Sequence, residues 1–117
     1  MTQCPIFNIA DIVGKKWTIV ILQEISFNGE KGFNHIFQRI GKISPKVLSL
    51  RLKDLEKQEL IKKELITQEM PVRTKYNLTK KGKELNDIIN TMKRWHAKYD
   101  TKFCECSQRE CVKCPLF

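Results

Sequence analysis

The sequence predicts an α+β fold that is mostly α: four helices, then a two-stranded hairpin, then a long C-terminal helix. Three observations carry this reading. Apolar residues recur every three or four positions over the first half of the chain. Residues 60–78 break that rhythm and hold two β-tolerant runs around a proline-containing loop. After Thr79 the helical rhythm returns in a stripe longer than so small a core needs. With 117 residues, 41% of them hydrophobic, the chain can bury one core and has no room for a second.

Ile6, Ile9, Ala10 and Val13 define a short first helix that ends near Gly14, a natural C′ residue. Trp17, Val20, Ile21, Leu22, Ile25 and Phe27 define a second, mostly buried helix, stopped by the turn signal Asn28-Gly29. Glu30-Lys31-Gly32 has room for an edge strand at most. Phe33, Ile36, Phe37 and Ile40 give a compact third helix closed by Gly41. The fourth begins at Ser44-Pro45, an N-cap followed by proline at the first helical position, and runs through Val47, Leu48, Leu52 and Leu55 to about Gln58. Two short helices joined by a brief glycine-containing turn have the pattern of a helix-turn-helix.

Leu60–Thr67 and Thr74–Leu78 read as strands, with Gln68 to Val72 as the loop and Pro71 at its tip, where no ladder hydrogen bond is needed. A hairpin placed directly after a helix-turn-helix is the wing of a winged-helix fold. Thr79 caps the last helix, whose stripe runs through Leu85, Ile88, Ile89, Met92, Trp95, Tyr99 and Phe103. Residues 1–103 are expected to form the folded domain, and residues 104–117 a cysteine-rich tail.

Charge narrows the partner. Lys and Arg number 22 against 13 Asp and Glu, a formal +9. Residues 15–63 hold 11 basic against 5 acidic side chains and residues 64–82 hold 4 against 2, so most of the excess sits mid-chain. Such a balance favours a polyanion, nucleic acid before membrane. No apolar run approaches the 20 or so residues of a membrane span. Met1-Thr2-Gln3-Cys4-Pro5 is not the start of a secretory signal, so the expected compartment is the cytoplasm. With two histidines, no phosphate-binding glycine loop, no paired-carboxylate site and no Cys-His nucleophile pattern, an enzyme is not expected.

In a reducing compartment, clustered thiols point to metal binding or redox chemistry before structural disulfides. Cys104-x-Cys106 and Cys111-x-x-Cys114 supply four thiols within eleven residues. Tetrahedral zinc accepts four cysteines and a two-residue gap is a frequent chelating spacing, although the one-residue gap is less usual. Two disulfides, an iron–sulfur site or unpaired thiols in a disordered tail are the alternatives.

Several segments, in order, resemble the HxlR-type winged helix-turn-helix transcriptional regulators, relatives of the MarR group, over roughly residues 4–96. They are Cys4-Pro5-Ile6, Gly14-Lys15-Lys16-Trp17-Thr18, Gly32-Phe33-Asn34-His35-Ile36, and Ile43-Ser44-Pro45-Lys46-Val47-Leu48-Ser49 running on to Leu55-Glu56. Pro71-Val72-Arg73-Thr74-Lys75-Tyr76-Asn77-Leu78-Thr79 leads into Gly82, and Trp95 sits late in the final helix. Glu59 stands where such sequences usually carry glycine, and the tail lies outside the shared pattern. The resemblance implies a homodimer that binds double-stranded DNA at a palindromic operator and responds to oxidants, electrophiles or small molecules. It also implies a redox-sensing role for Cys4, against which stands the reading of a buried, inert cysteine.

Rotating the fourth helix by 100° per residue places Leu48, Leu52 and Leu55 on one face, flanked by Ser44 and Arg51. Lys46, Ser49, Leu50, Lys53 and Lys57 fall on the other, where lysine and serine can contact base edges or phosphates and Leu50 a thymine methyl. The expected DNA-contacting set is Asn34, His35, Ser44, Lys46, Val47, Ser49, Leu50, Lys53, Arg73 and Lys75. Asn34 and His35 are expected at backbone phosphates, with His35 equally readable as a capping or packing residue. Arg73 and Lys75 are expected at the minor groove or phosphates, with Lys75 otherwise an ordinary exposed strand residue. Two other readings stand beside a dimeric sequence-specific regulator: a thiol- or metal-dependent redox sensor with secondary DNA binding, and a nonspecific chromatin-type protein.

Overall fold

A computed structural model describes residues 4–28, 32–66 and 73–99. The segment 30–32, with room for an edge strand at most, the tip of the hairpin, Phe103 and all four tail cysteines lie wholly or partly outside these residues; Gly32 itself precedes the third helix. The described elements are α1 (Pro5–Val13), α2 (Lys16–Asn28), α3 (Phe33–Ile40), α4 (Pro45–Lys57), β1 (Ile61–Ile66), β2 (Arg73–Leu78) and α5 (Lys80–Tyr99). This is the winged helix-turn-helix order. The strands pair antiparallel, with Ile61 opposite Leu78 and Ile66 opposite Arg73.

α2 is the central post. Its Ile21, Leu22 and Ile25 are buried together with Ile36 and Ile40 of α3, Leu48, Leu52 and Leu55 of α4, and Ile89 of α5. Each such side chain contributes about 1.5–3 kcal/mol when fully removed from water. The hairpin closes the core through Leu60, Ile61 and Tyr76. Burial holds the Tyr76 phenol above its ordinary value, and the Glu56 carboxylate of α4 adds to the effect.

Helix ends show where local chemistry decides. Gly41 takes the left-handed conformation (φ 74°) that glycine permits and closes α3. Gly14 closes α1 in right-handed backbone instead (φ −76°), so the left-handed C′ end expected there is absent. At the end of α4 the left-handed position falls on Glu59 (φ 61°). The amide of Leu60 donates to the carbonyl of Leu55 and that of Glu59 to Glu56, the paired bonds of a Schellman motif. Leu55 and Leu60 are both buried, which supplies its apolar contact.

Two apolar surfaces stay uncovered. No residue of α1 is buried, and Phe7 remains 62% exposed. On α5, Ile88, Met92, Trp95 and Tyr99 form one outward stripe, with Trp95 64% exposed.

Candidate nucleic-acid interface

The candidate interface is built on α4. The hydroxyl of Ser44 accepts from the amide of Val47 at 3.1 Å and fixes where the helix starts. With Leu48, Leu52 and Leu55 anchored in the core, the helix turns Lys46, Leu50 and Lys53 to the surface, with Ser49 half-buried between them. Val47 is half-buried and packs against the core, so its contribution to this face is partial.

α3 is held to α2 by Arg39, whose Nε lies 3.1 Å from the buried Glu24 carboxylate. Asn34 is exposed at the start of α3. His35 is half-buried, and its Nε2 lies inside the structure without a hydrogen-bond partner, which favours packing over phosphate contact. A second fastening joins α4 to the approach of α2. Asp54 accepts from Lys15 and from Arg51, each at 3.1 Å. The Lys15 hydrogen bond is the main reason its carboxyl is held below the ordinary carboxylate value.

Arg73 and Lys75 share one face of the wing but differ in their place along it. The register places Lys62, Glu64, Lys75 and Asn77 on one face of the hairpin. That face lines a hollow of about 640 Å³ against Ile25 of α2 and Lys83 and Asn86 of α5. Lys75 sits there 3.4 Å from Glu64, on the side turned toward α5. Arg73 is exposed at the far end of β2, next to the hairpin tip. The structure therefore gathers Lys46, Ser49, Leu50 and Lys53 on one surface and leaves Lys75 apart from them.

The HxlR-like helix-turn-helix family model matches residues 12–103. The chain belongs to this family. The HTH-type transcriptional regulator YodB of Bacillus subtilis is 34% identical over 111 residues, 94% of either chain. The crystal structure of diamide-treated YodB from B. subtilis aligns at a TM-score of 0.69 with 33% identity, covering 85% of this chain and 97% of that one. The redox regulator HypR in its oxidized form aligns at 0.72 with 28% identity, covering 83% and 97%. Like its HxlR-like relatives, the chain is a DNA-binding transcriptional regulator.

Two features of this HxlR-like regulator escaped the sequence reading. One is the Lys15–Asp54 bridge, whose partners stand 39 residues apart with nothing local to pair them. The other is a buried amide cluster centred on Gln23. Its signal was present: a polar residue directly after Ile21 and Leu22 in a helix that otherwise reads as core. Cys4 lies exposed at the N-cap of α1, not buried.

Proposed function

We propose that this regulator binds double-stranded DNA in the cytoplasm as a two-fold homodimer on a palindromic operator, and that oxidation of Cys4 switches that binding. The carrying observation is the pairing of a capped α4, with Lys46, Ser49, Leu50 and Lys53 outward, and two uncovered apolar faces on α1 and α5. Exposed aromatic and aliphatic side chains in such a row mark an interaction surface. A second copy joined through α1 and α5 covers them and presents two α4 helices to one face of DNA, with half-sites centred about 10 bp, or a multiple of it, apart. No helix among the described residues is long and apolar enough to cross a membrane.

The redox arm rests on the exposed thiol of Cys4 at the head of α1, and on the likeness to the diamide-treated YodB and oxidized HypR structures. Sequencing of DNA fragments retained by the purified protein, with and without diamide, tests both parts. Enrichment of one palindrome, lost or altered by diamide in the wild type and unaffected in Cys4→Ser, is the expected result. Uniform retention of bulk DNA at moderate salt favours the nonspecific chromatin-type reading.

A further inference from the structure

α5 has two opposite jobs on one cylinder. Ile88, Met92, Trp95 and Tyr99 form its outward apolar stripe. Asn86, Asn90 and Lys93, spaced by four and three residues, fall about half a turn away from it and face α2. There they converge on one side chain, Gln23, which is only 2% exposed. The Gln23 amide nitrogen donates to the side-chain oxygens of Asn86 and of Asn90, the latter at 3.2 Å. Its oxygen accepts from Lys93 Nζ at 3.0 Å. Asn86 in turn donates to the Ser26 hydroxyl at 2.9 Å, so the cluster spans about two turns of α5 and is internally satisfied.

An apolar seam between two helices tolerates small slides and rotations, because dispersion contacts have no direction. Hydrogen bonds do have direction, and a slipped register would leave buried amides unpaired. A buried polar group that fixes one register is the best-attested use of such groups. The register here matters because α2 belongs to the DNA-reading body, whereas the far face of α5 is the surface offered to a second copy. The angle at this seam is therefore the angle between the reading body and the dimer axis.

We propose that Gln23 is a positioning residue that sets the half-site spacing the dimer accepts, a reading that rests on the two-fold dimer proposed above. One extra base pair between half-sites displaces one of them by about 3.4 Å and about 35°. A seam locked at three points resists that displacement; an unlocked one absorbs it.

The test uses the full chain and a set of duplexes carrying the two half-sites at the preferred spacing and one base pair longer or shorter. Gln23→Met keeps the volume and removes the bonds. Asn90→Ala with Lys93→Met removes two of them from the partly exposed side and guards against misfolding of the first variant. Ile36→Val in α3 serves as a destabilised control outside the seam. Wild type and control are expected to discriminate between spacings by about tenfold, and both seam variants by about twofold or less, with affinity for a single half-site unchanged. Undiminished discrimination in both seam variants overturns the proposal, as does a wild type indifferent to spacing. Loss of single half-site affinity in step with discrimination, matching the control, also overturns it, because the role is then merely structural. Sedimentation of the wild type, measured separately, reports on the dimer itself.

Discussion

The hydroxyl of Thr79 donates to the main-chain carbonyl of Glu59 at 2.6 Å, tying the start of α5 to the residue that ends α4 in a left-handed turn. The same hydroxyl accepts from the amide of Gly82 at 3.0 Å and so caps α5 as well. One side chain thus closes the base of the wing. A non-glycine residue at that φ costs about 1 kcal/mol or more. Glu59→Gly is expected to raise stability by about 1 kcal/mol, and Thr79→Val to lower it by about 1–2 kcal/mol. Chemical denaturation of the three proteins checks both signs.

Glu24 is buried and pairs with the guanidinium of Arg39. Removing one partner of a buried pair costs about 3–5 kcal/mol where the remaining charge is left uncompensated. Arg39 keeps some exposure, so Arg39→Met is expected near the lower end of that range. The double variant Glu24→Gln with Arg39→Met should recover much of the loss. Additive losses in the double-mutant cycle would show that the pair is not coupled.

The exposed face of α4 makes a graded prediction for DNA. Lys46→Glu and Lys53→Glu should each weaken operator binding by tenfold or more, about 1.4 kcal/mol or above. Arg73→Ala should weaken binding nearly evenly across sequences and reduce the slope of log K against log salt by about 1. Lys75→Ala, at a residue already paired with Glu64 and lining the hollow against α5, should change affinity little. Fluorescence anisotropy at several salt concentrations separates these outcomes.

Asp54 gives a pH dependence whose sign follows from its lowered pKa. A carboxylate held below its unfolded value stabilises the fold above about pH 4 and loses that contribution as pH falls through its native pKa. Both Asp54 and Lys15 are nearly half exposed, so the contribution stays within about 1 kcal/mol. Asp54→Asn should therefore lie slightly below the wild type at pH 7, and the two should converge under acid. Urea unfolding at pH 7 and near pH 3 measures the difference; a constant gap would refute it.

The tail thiols call for direct chemistry. For Cys104, Cys106, Cys111 and Cys114 we propose a zinc or disulfide knuckle. Protein purified without oxygen should then carry about one zinc per chain with its thiols blocked, or lack metal and show two bridges. Five free thiols and no metal refute the knuckle.

Much of the architecture was readable along the chain because local chemistry and packing agree there. Ser44-Pro45 starts α4, Gly41 closes α3 and Thr79 caps α5, each through its own backbone preference. The outward face of α4 was readable because a helix with three buried leucines has only one remaining side. What was hidden depends on distance or cancellation. Lys15 and Asp54 meet only after folding. Lys75 meets Glu64 across the strands, which becomes visible only with the strand register. Glu59 adopts a conformation its own propensity opposes, because Leu55, Leu60 and Thr79 together outweigh it.

Gly82 lies where any side chain would overlap the carbonyl oxygen of Leu60. With Thr79 bonded to both Glu59 and Leu60, the two ends of the hairpin are sewn to one point of the body. The hairpin is therefore an insert whose far end can change length without disturbing its root. Doubling the segment between Ile66 and Arg73 adds about 0.6 kcal/mol of loop-closure cost. The length of the wing can thus be retuned almost independently of stability, and the wing is the part of this regulator most open to exchange.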